Sequence, residues 1–185
     1  VTIVLDTTPF YAESGGQVGD TGLIISGANT VSVSDTIKSE GHFLHIGSVE
    51  QGSISKGDKV SAQIDKDRRM AIMRNHTTAH LLQYALRSVL GDHVHQAGQL
   101  VNEKACRFDF NHFSAMTDEE IAKVEEIVNS EIMAAIPVTM QEMPIDEARK
   151  LGAMALFGEK YGDTVRVVTA GDSVEFCGGT HISNT

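Results

Sequence analysis

Two short motifs about a hundred residues apart constrain this chain more than any other feature of it. Arg74-Asn75-His76-Thr77-Thr78-Ala79-His80-Leu81-Leu82 sits inside a helical pattern, so His76 and His80 lie one turn apart on the same face. Cys177-Gly178-Gly179-Thr180-His181 follows a strand-like run and turns on two glycines, which lets Cys177 and His181 close toward a common point. Brought together, the motifs offer three imidazoles and a thiolate, a donor set suited to Zn²⁺. Each pair alone also reads as core: histidines on a helix face above an apolar layer, and a buried cysteine. Both pairs in a chain with only two cysteines favour the metal site, with one ion per chain. The fold then has to carry residue 177 back onto the helix at residue 76.

The residues ahead of the helix alternate with period two. Residues 1–5, 23–25, 30–37, 42–49 and 59–64 read as short strands separated by Gly, Ser and Asn turns. That spacing predicts a small β-barrel or sandwich of roughly 65 residues. A glycine-rich loop with Pro9, Glu13 and Ser14-Gly15-Gly16-Gln17-Val18-Gly19-Asp20 joins the first two strands. A strand follows it where a dinucleotide fingerprint would need a helix. Gly15, Gly16 and Gln17 therefore form either a bent β connection or a loop whose bare backbone admits a substrate. His42 and His45, three apart in a strand, face opposite ways and do not share a metal.

At residue 65 the period changes. Ile72, Met73, Leu81, Leu82, Ala85, Leu86, Val89 and Leu90 recur at helical intervals until Gly91. Strands are predicted at 93–101 and 104–110, with Cys106, Phe108 and Phe110 on one core face. Thr117-Asp118-Glu119-Glu120 caps a helix running to residue 136. Pro137 ends it. A strand over 138–143, a short helix over 145–151 and strands over 164–169 and 173–176 complete the chain. The fold class is α+β: a β-barrel-like subdomain over 1–64, then an α/β two-layer subdomain over 65–185. In the second, helices pack on a mostly antiparallel sheet beside the zinc site.

Composition removes several classes of function. No apolar run approaches the roughly 18 residues of a membrane span, so no membrane partner is expected. Residues 1–5 lack the basic lead of a signal peptide, and two cysteines in unlike settings suit a reducing, cytoplasmic compartment. A net charge of −10 argues against non-specific nucleic-acid binding, although a local basic patch can survive it. Arg68, Arg69 and Arg74 form such a cluster near the histidine pair, and otherwise read as a solvated helix face. The histidine pair is not that of zinc proteases, whose glutamate place is taken by Thr77. Four protein donors would close a tetrahedral site, so catalysis needs an open position or a replaceable ligand.

From end to end the chain resembles the editing domain of alanyl-tRNA synthetase. Phe10-Tyr11 with residues 13–20 resembles the family's glycine-rich loop, and residues 75–82 its first zinc motif. Residues 91–101 (GDHVHQAGQLV), Arg107-Phe108-Asp109-Phe110, residues 152–161 (GAMALFGEKY) and the CGGTH motif follow in the family's order. The resemblance implies a barrel-like N-terminal part and a C-terminal part shared with the threonyl-tRNA synthetase editing module. It implies hydrolysis of tRNA(Ala) mischarged with serine or glycine, with the acceptor end of tRNA(Ala) and the other, ATP-using domains of a parent synthetase as partners. A free-standing trans-editing deacylase and a non-catalytic, zinc-stapled RNA-binding module are the alternatives. Val1 in place of an initiator methionine, and the ending soon after His181, favour a piece of a synthetase.

Residue by residue, the resemblance makes His76, His80, Cys177 and His181 the zinc ligands and places Gln96 beside the editing pocket. Gln96 would act as a hydrogen-bond partner, since an amide is no base at neutral pH. Zinc is expected to organise the pocket and hold the substrate. Lys104, Arg107, Lys160 and Arg166, with Arg68, Arg69 and Arg74, are candidate contacts to tRNA phosphates. The family's usual threonine before the second zinc histidine is Ala79 here, and its frequent serine is Gln99. Each helical residue turns by about 100°, which puts Thr77 and Ala79 to either side of the metal direction and Thr78 opposite. Thr77 is then the hydroxyl left to recognise serine.

Overall fold

A computed structural model describes residues 1–154 and 161–185. Its strands are β1 (Thr2–Ile3), β2 (Gly22–Ser26), β3 (Asn29–Ser39), β4 (His42–Gln51) and β5 (Ser61–Ile64), then β6 (Gln96–Val101) and β7 (Cys106–Phe110), then β8 (Val138–Pro144), β9 (Thr164–Ala170) and β10 (Ser173–Phe176). Its helices are α1 (Lys66–Leu90), α2 (Asp118–Met133) and α3 (Ile145–Lys150).

The first five strands form one antiparallel sheet in the order β1-β4-β3-β2-β5. The sheet is open, which corrects the expected barrel: β1 and β5 are edges and do not pair. Apolar side chains still converge as in a barrel, with Phe10, Ile24, Val31 and Val33 buried and Ile3, Leu5, Val60 and Ile64 packed on them. Alternation in sequence reports which face is buried, and says nothing of whether the last edge finds the first.

Helix α1 is 25 residues long and begins where the periodicity changes. Asp65 caps it by accepting from the Arg68 N–H, and Gly91, at φ 112°, ends it with its N–H on Arg87 O. Ile72, His76, Ala79, Gln83 and Leu86 repeat at intervals of four and three and are all buried. Two polar side chains thus occupy positions that a helix of this kind gives to leucine. The second half of α1 packs through Ala85 and Leu86 against Val94, Val124 of α2 and the β6-β7 hairpin.

The single sheet expected for the C-terminal half is two: a hairpin, β6-β7, and a three-stranded sheet, β10-β9-β8. In β9, Val165 and Val167 point toward Ala148 of α3, whereas Val168 and Ala170 point toward Leu81 of α1. The two long helices lie on one face and α3 covers the other. Thr117 and Glu120 complete the capping box of α2. That helix stops at Met133, short of residue 136, and Ala135 takes φ 50° in the turn before Pro137. Pro144 ends β8 and is at the same time the N-cap of α3. Among the described residues no helix is long and apolar enough to cross a membrane.

Candidate metal centre and cavity

The topology delivers residue 177 to residue 76. Strand β10 runs beside β9 against α1, and Cys177 leaves its end tied back by its N–H on Arg166 O at 3.0 Å. Arg166 shares the α1-facing side of β9, and its Nη1 donates to Cys177 O at 2.8 Å and Gly179 O at 2.7 Å. Gly179 passes so close to helix α1 that a Cβ there would fall on the His76 ring. The turn that carries Cys177 and His181 is therefore held by one guanidinium from below and by van der Waals contact from above.

One donor atom from each of His76, His80, Cys177 and His181 lies within 4.8 Å of every other, close enough for all four to bind one metal ion. Cys177 Sγ stands 3.5 Å from His76 Nε2 and 3.3 Å from His181 Nε2. A tetrahedral zinc with nitrogen and sulfur ligands has edges of about 3.5 Å. The three imidazoles are 2%, 4% and 2% exposed, so the group that could compensate them has to be inside. Burial, with a smaller part from the neighbouring imidazole and Arg166, lowers the His76 pKa to about 3. Burial lowers His80 to about 4, and His181 falls further still. All three rings are neutral near pH 7, as metal ligation requires.

The outer nitrogens complete the picture. His76 Nδ1 meets Gln17 Oε1 at 2.7 Å, and His181 Nδ1 meets Thr77 Oγ1 at 3.1 Å. His80 Nδ1 has no hydrogen-bond partner and faces the Glu175 carboxyl at 3.7 Å. Burial raises the Glu175 pKa to about 7, against a lowering by the Ser173 hydroxyl at 3.0 Å. An oxygen behind each ring, within hydrogen-bond distance at His76 and His181, with the other nitrogens turned inward, is the arrangement that orients histidine ligands.

One side of this centre opens on a cavity of about 280 Å³, lined by His76, Cys177, Gly178, Arg166, Tyr11, Gly15 and Gln99 among others. Tyr11 donates its hydroxyl to Ser14 O at 3.0 Å, and burial pushes its pKa up to about 12. Gln99 reaches across the mouth to Gly15 O at 2.6 Å.

The other residues singled out from sequence fall in varied places. Gly15 borders the cavity, whereas Gly16 packs against Gln99 and Gln17 lies fully buried beneath. Gln96 sits half-buried at the start of β6 opposite Phe110, and it is Gln99 that lines the cavity. Thr77 is 1% exposed and stands behind His181, off the cavity wall; Thr78 faces outward with its hydroxyl on Arg74 O. Arg69 is paired with Asp20, and Arg68 with Glu103 and Gly19 O. Arg107 pairs with Asp109; Arg74 and Lys104 are exposed; Lys160 lies outside the described residues. Glu175 escaped the sequence reading. Its place two residues before Cys177 on a strand, on the same face, was the available signal.

The family profile described as tRNA synthetases class II (A) matches residues 1–68. That of the threonyl and alanyl tRNA synthetase second additional domain matches residues 165–185. Over 100% of its length the chain is 62% identical to an alanine–tRNA ligase of Acetivibrio thermocellus and 53% identical to one of Bacillus subtilis. It is 55% identical to alanine–tRNA ligase 1 of Lachnoclostridium phytofermentans. The chain spans 21% of the length of each of these relatives.

Proposed function

Since the chain belongs to the alanyl-tRNA synthetase family, we propose that it is the editing part of such an enzyme, hydrolysing the ester of tRNA(Ala) mischarged with serine or glycine. The observation that carries the reading is the cavity, which exposes His76 and Cys177 of a buried four-donor set to something entering from outside. Three imidazoles and a thiol suit one Zn²⁺ per chain better than harder ions that prefer oxygen. When bound, zinc supplies Lewis-acid polarisation or a fixed point for the amino acid's amine.

The chain's own residues would do the rest. Arg166 holds the Cys177–His181 turn through Nη1 and presents a fixed positive charge at the cavity wall, where an oxyanion would develop. Tyr11 and Gln99 narrow the mouth and limit the size of the amino acid. Thr77 acts through His181, holding its ring. Gln96 would reach a substrate only past the bulge that separates it from Gly98. Arg74 and Lys104, both exposed, are the foremost candidates for phosphate contacts, and the parent enzyme's other domains would supply affinity by effective concentration. Relatives about five times longer than the chain favour a part of a synthetase over a free-standing deacylase.

The closed donor set supports a second reading, a zinc-stapled module without catalysis. Zinc-loaded protein incubated with seryl-tRNA(Ala) and alanyl-tRNA(Ala) decides between them. Selective release of serine is the expected result. Release no faster than spontaneous hydrolysis from a folded, zinc-loaded protein leaves the non-catalytic module.

A further inference from the structure

Gln17 belongs to a loop whose neighbouring residues 13–15 are exposed, yet it is 0% exposed itself. A buried primary amide needs hydrogen-bond partners, and this one finds its side-chain partners on the metal-centre side. Its Oε1 lies 2.8 Å from Thr180 N and 2.7 Å from His76 Nδ1; its Nε2 lies 2.9 Å from Thr180 Oγ1.

These contacts fix the proton on His76. The Thr180 backbone N–H can only donate, so the side-chain atom it meets is the amide oxygen. That oxygen can only accept, so His76 Nδ1 carries the proton. The lone pair of His76 is left on Nε2, the nitrogen that faces Cys177 Sγ. The loop backbone is itself secured: Val18 N–H donates to Val101 O at 3.1 Å, and Val101 N–H to Gly16 O at 2.8 Å. Gln17 is thus a strut from β6 to both halves of the donor set.

We infer that Gln17 is a positioning residue of the metal centre, setting the tautomer of His76 and tying the Cys177–His181 turn to helix α1. The inference rests on the zinc reading above and extends it: the N-terminal unit takes part in metal binding without contributing a ligand. Groups in this role change metal affinity by roughly 10–100-fold.

The test is Zn²⁺ affinity, measured by competition with a chromophoric chelator, for the unsubstituted protein, Gln17→Leu and Gln17→Glu. Gln17→Leu removes every side-chain hydrogen bond at similar volume and should weaken binding roughly 10–100-fold. Gln17→Glu keeps the acceptor for both His76 and Thr180, and its affinity should return close to the unsubstituted value. Long-range ¹H–¹⁵N correlation spectra of the unsubstituted, zinc-loaded protein should place the His76 ring proton on Nδ1. Equal affinities for the folded Leu variant and the unsubstituted protein overturn the inference alone. A His76 proton on Nε2 does the same, and decides the matter where the Leu variant does not fold. An unsubstituted protein that takes up no zinc overturns the metal reading as well.

Discussion

His45 and His76 are both buried almost completely, at 1% and 2% exposure, and they are opposite kinds of residue. His45 lies in the N-terminal sheet with Nδ1 on Ile3 O at 2.9 Å and Nε2 on Thr8 Oγ1 at 2.7 Å, its ring edge-on to Phe10. Both nitrogens are used up by local neighbours. In the C-terminal half, His76, His80 and His181 spend one nitrogen on the chain or point it at a carboxyl. Their rings crowd one another at centroid distances of 4.4 to 5.5 Å. Burial does not separate a core histidine from a candidate metal ligand. The partner of the second nitrogen does.

The comparison breaks most readily at Cys177. Cys177→Ala should lose the metal and, because binding free energy is also folding free energy, lower the melting temperature by about 10 °C or more. His45→Ala should keep one metal per chain and cost about 1–3 kcal/mol, the penalty for orphaning Thr8 and Ile3 O. Equal metal content in the two variants, by elemental analysis, would erase the distinction.

Acid should act next, on metal-free protein. His76 and His80 have folded pKa values depressed to about 3 and 4, and His181 lower, against an unfolded value near 6.5. The unfolded chain therefore takes up protons that the fold refuses, and stability falls as pH drops below about 6.5. Glu175, raised to about 7, opposes this: its contribution is full below about 4.5 and fades as pH rises through 7. Three groups outweigh one, so the melting temperature should rise between about pH 4.5 and 6.5. A profile that is flat or falls over that window would show that the rings are not held neutral.

A smaller effect sharpens the roles within the centre. Thr77→Val removes the hydroxyl behind His181 and should weaken zinc binding roughly tenfold, whereas Thr78→Val, whose hydroxyl bonds Arg74 O on the outer face, should leave it unchanged. Matching losses in both would mean helix stability, not ligand orientation, is being measured. The smallest expected effects are at the surface. Arg74→Ala and Lys104→Ala should each reduce the slope of log tRNA affinity against log salt by about one.

Both ends of α1 and the start of α2 were legible because their punctuation is local: Asp65 and Gly91 bound α1, and Thr117 with Glu120 opens α2, whose end at Met133 carries no such signal. The four donors were legible for the same reason, since i, i+4 spacing on a helix and across a glycine turn is a short-range signal. What lay beyond reach was long-range. Alternation in β1 to β5 could not show that the sheet stays open, nor could it split the C-terminal strands into a sheet and a hairpin. Helix phase put Thr77 beside the metal direction, but which neighbour covers that side depends on the arrival of His181 from 104 residues away. Gln17 and Glu175 are polar residues buried by partners that only the tertiary fold supplies.

Helix α1 enters the molecule with Arg69 locked on Asp20 and on Pro9 O, and with Arg68 on Gly19 O. That grip gives the change of composition at residue 64 a different meaning. A polypeptide starting at residue 65 would contain all four donors, yet it would present two arginines without their loop and His76 without Gln17. The N-terminal sheet by itself would keep an apolar core and leave the Asp20 carboxylate, 1% exposed here, without its cation. A cut at residue 64 therefore separates charged and polar partners on both sides of it.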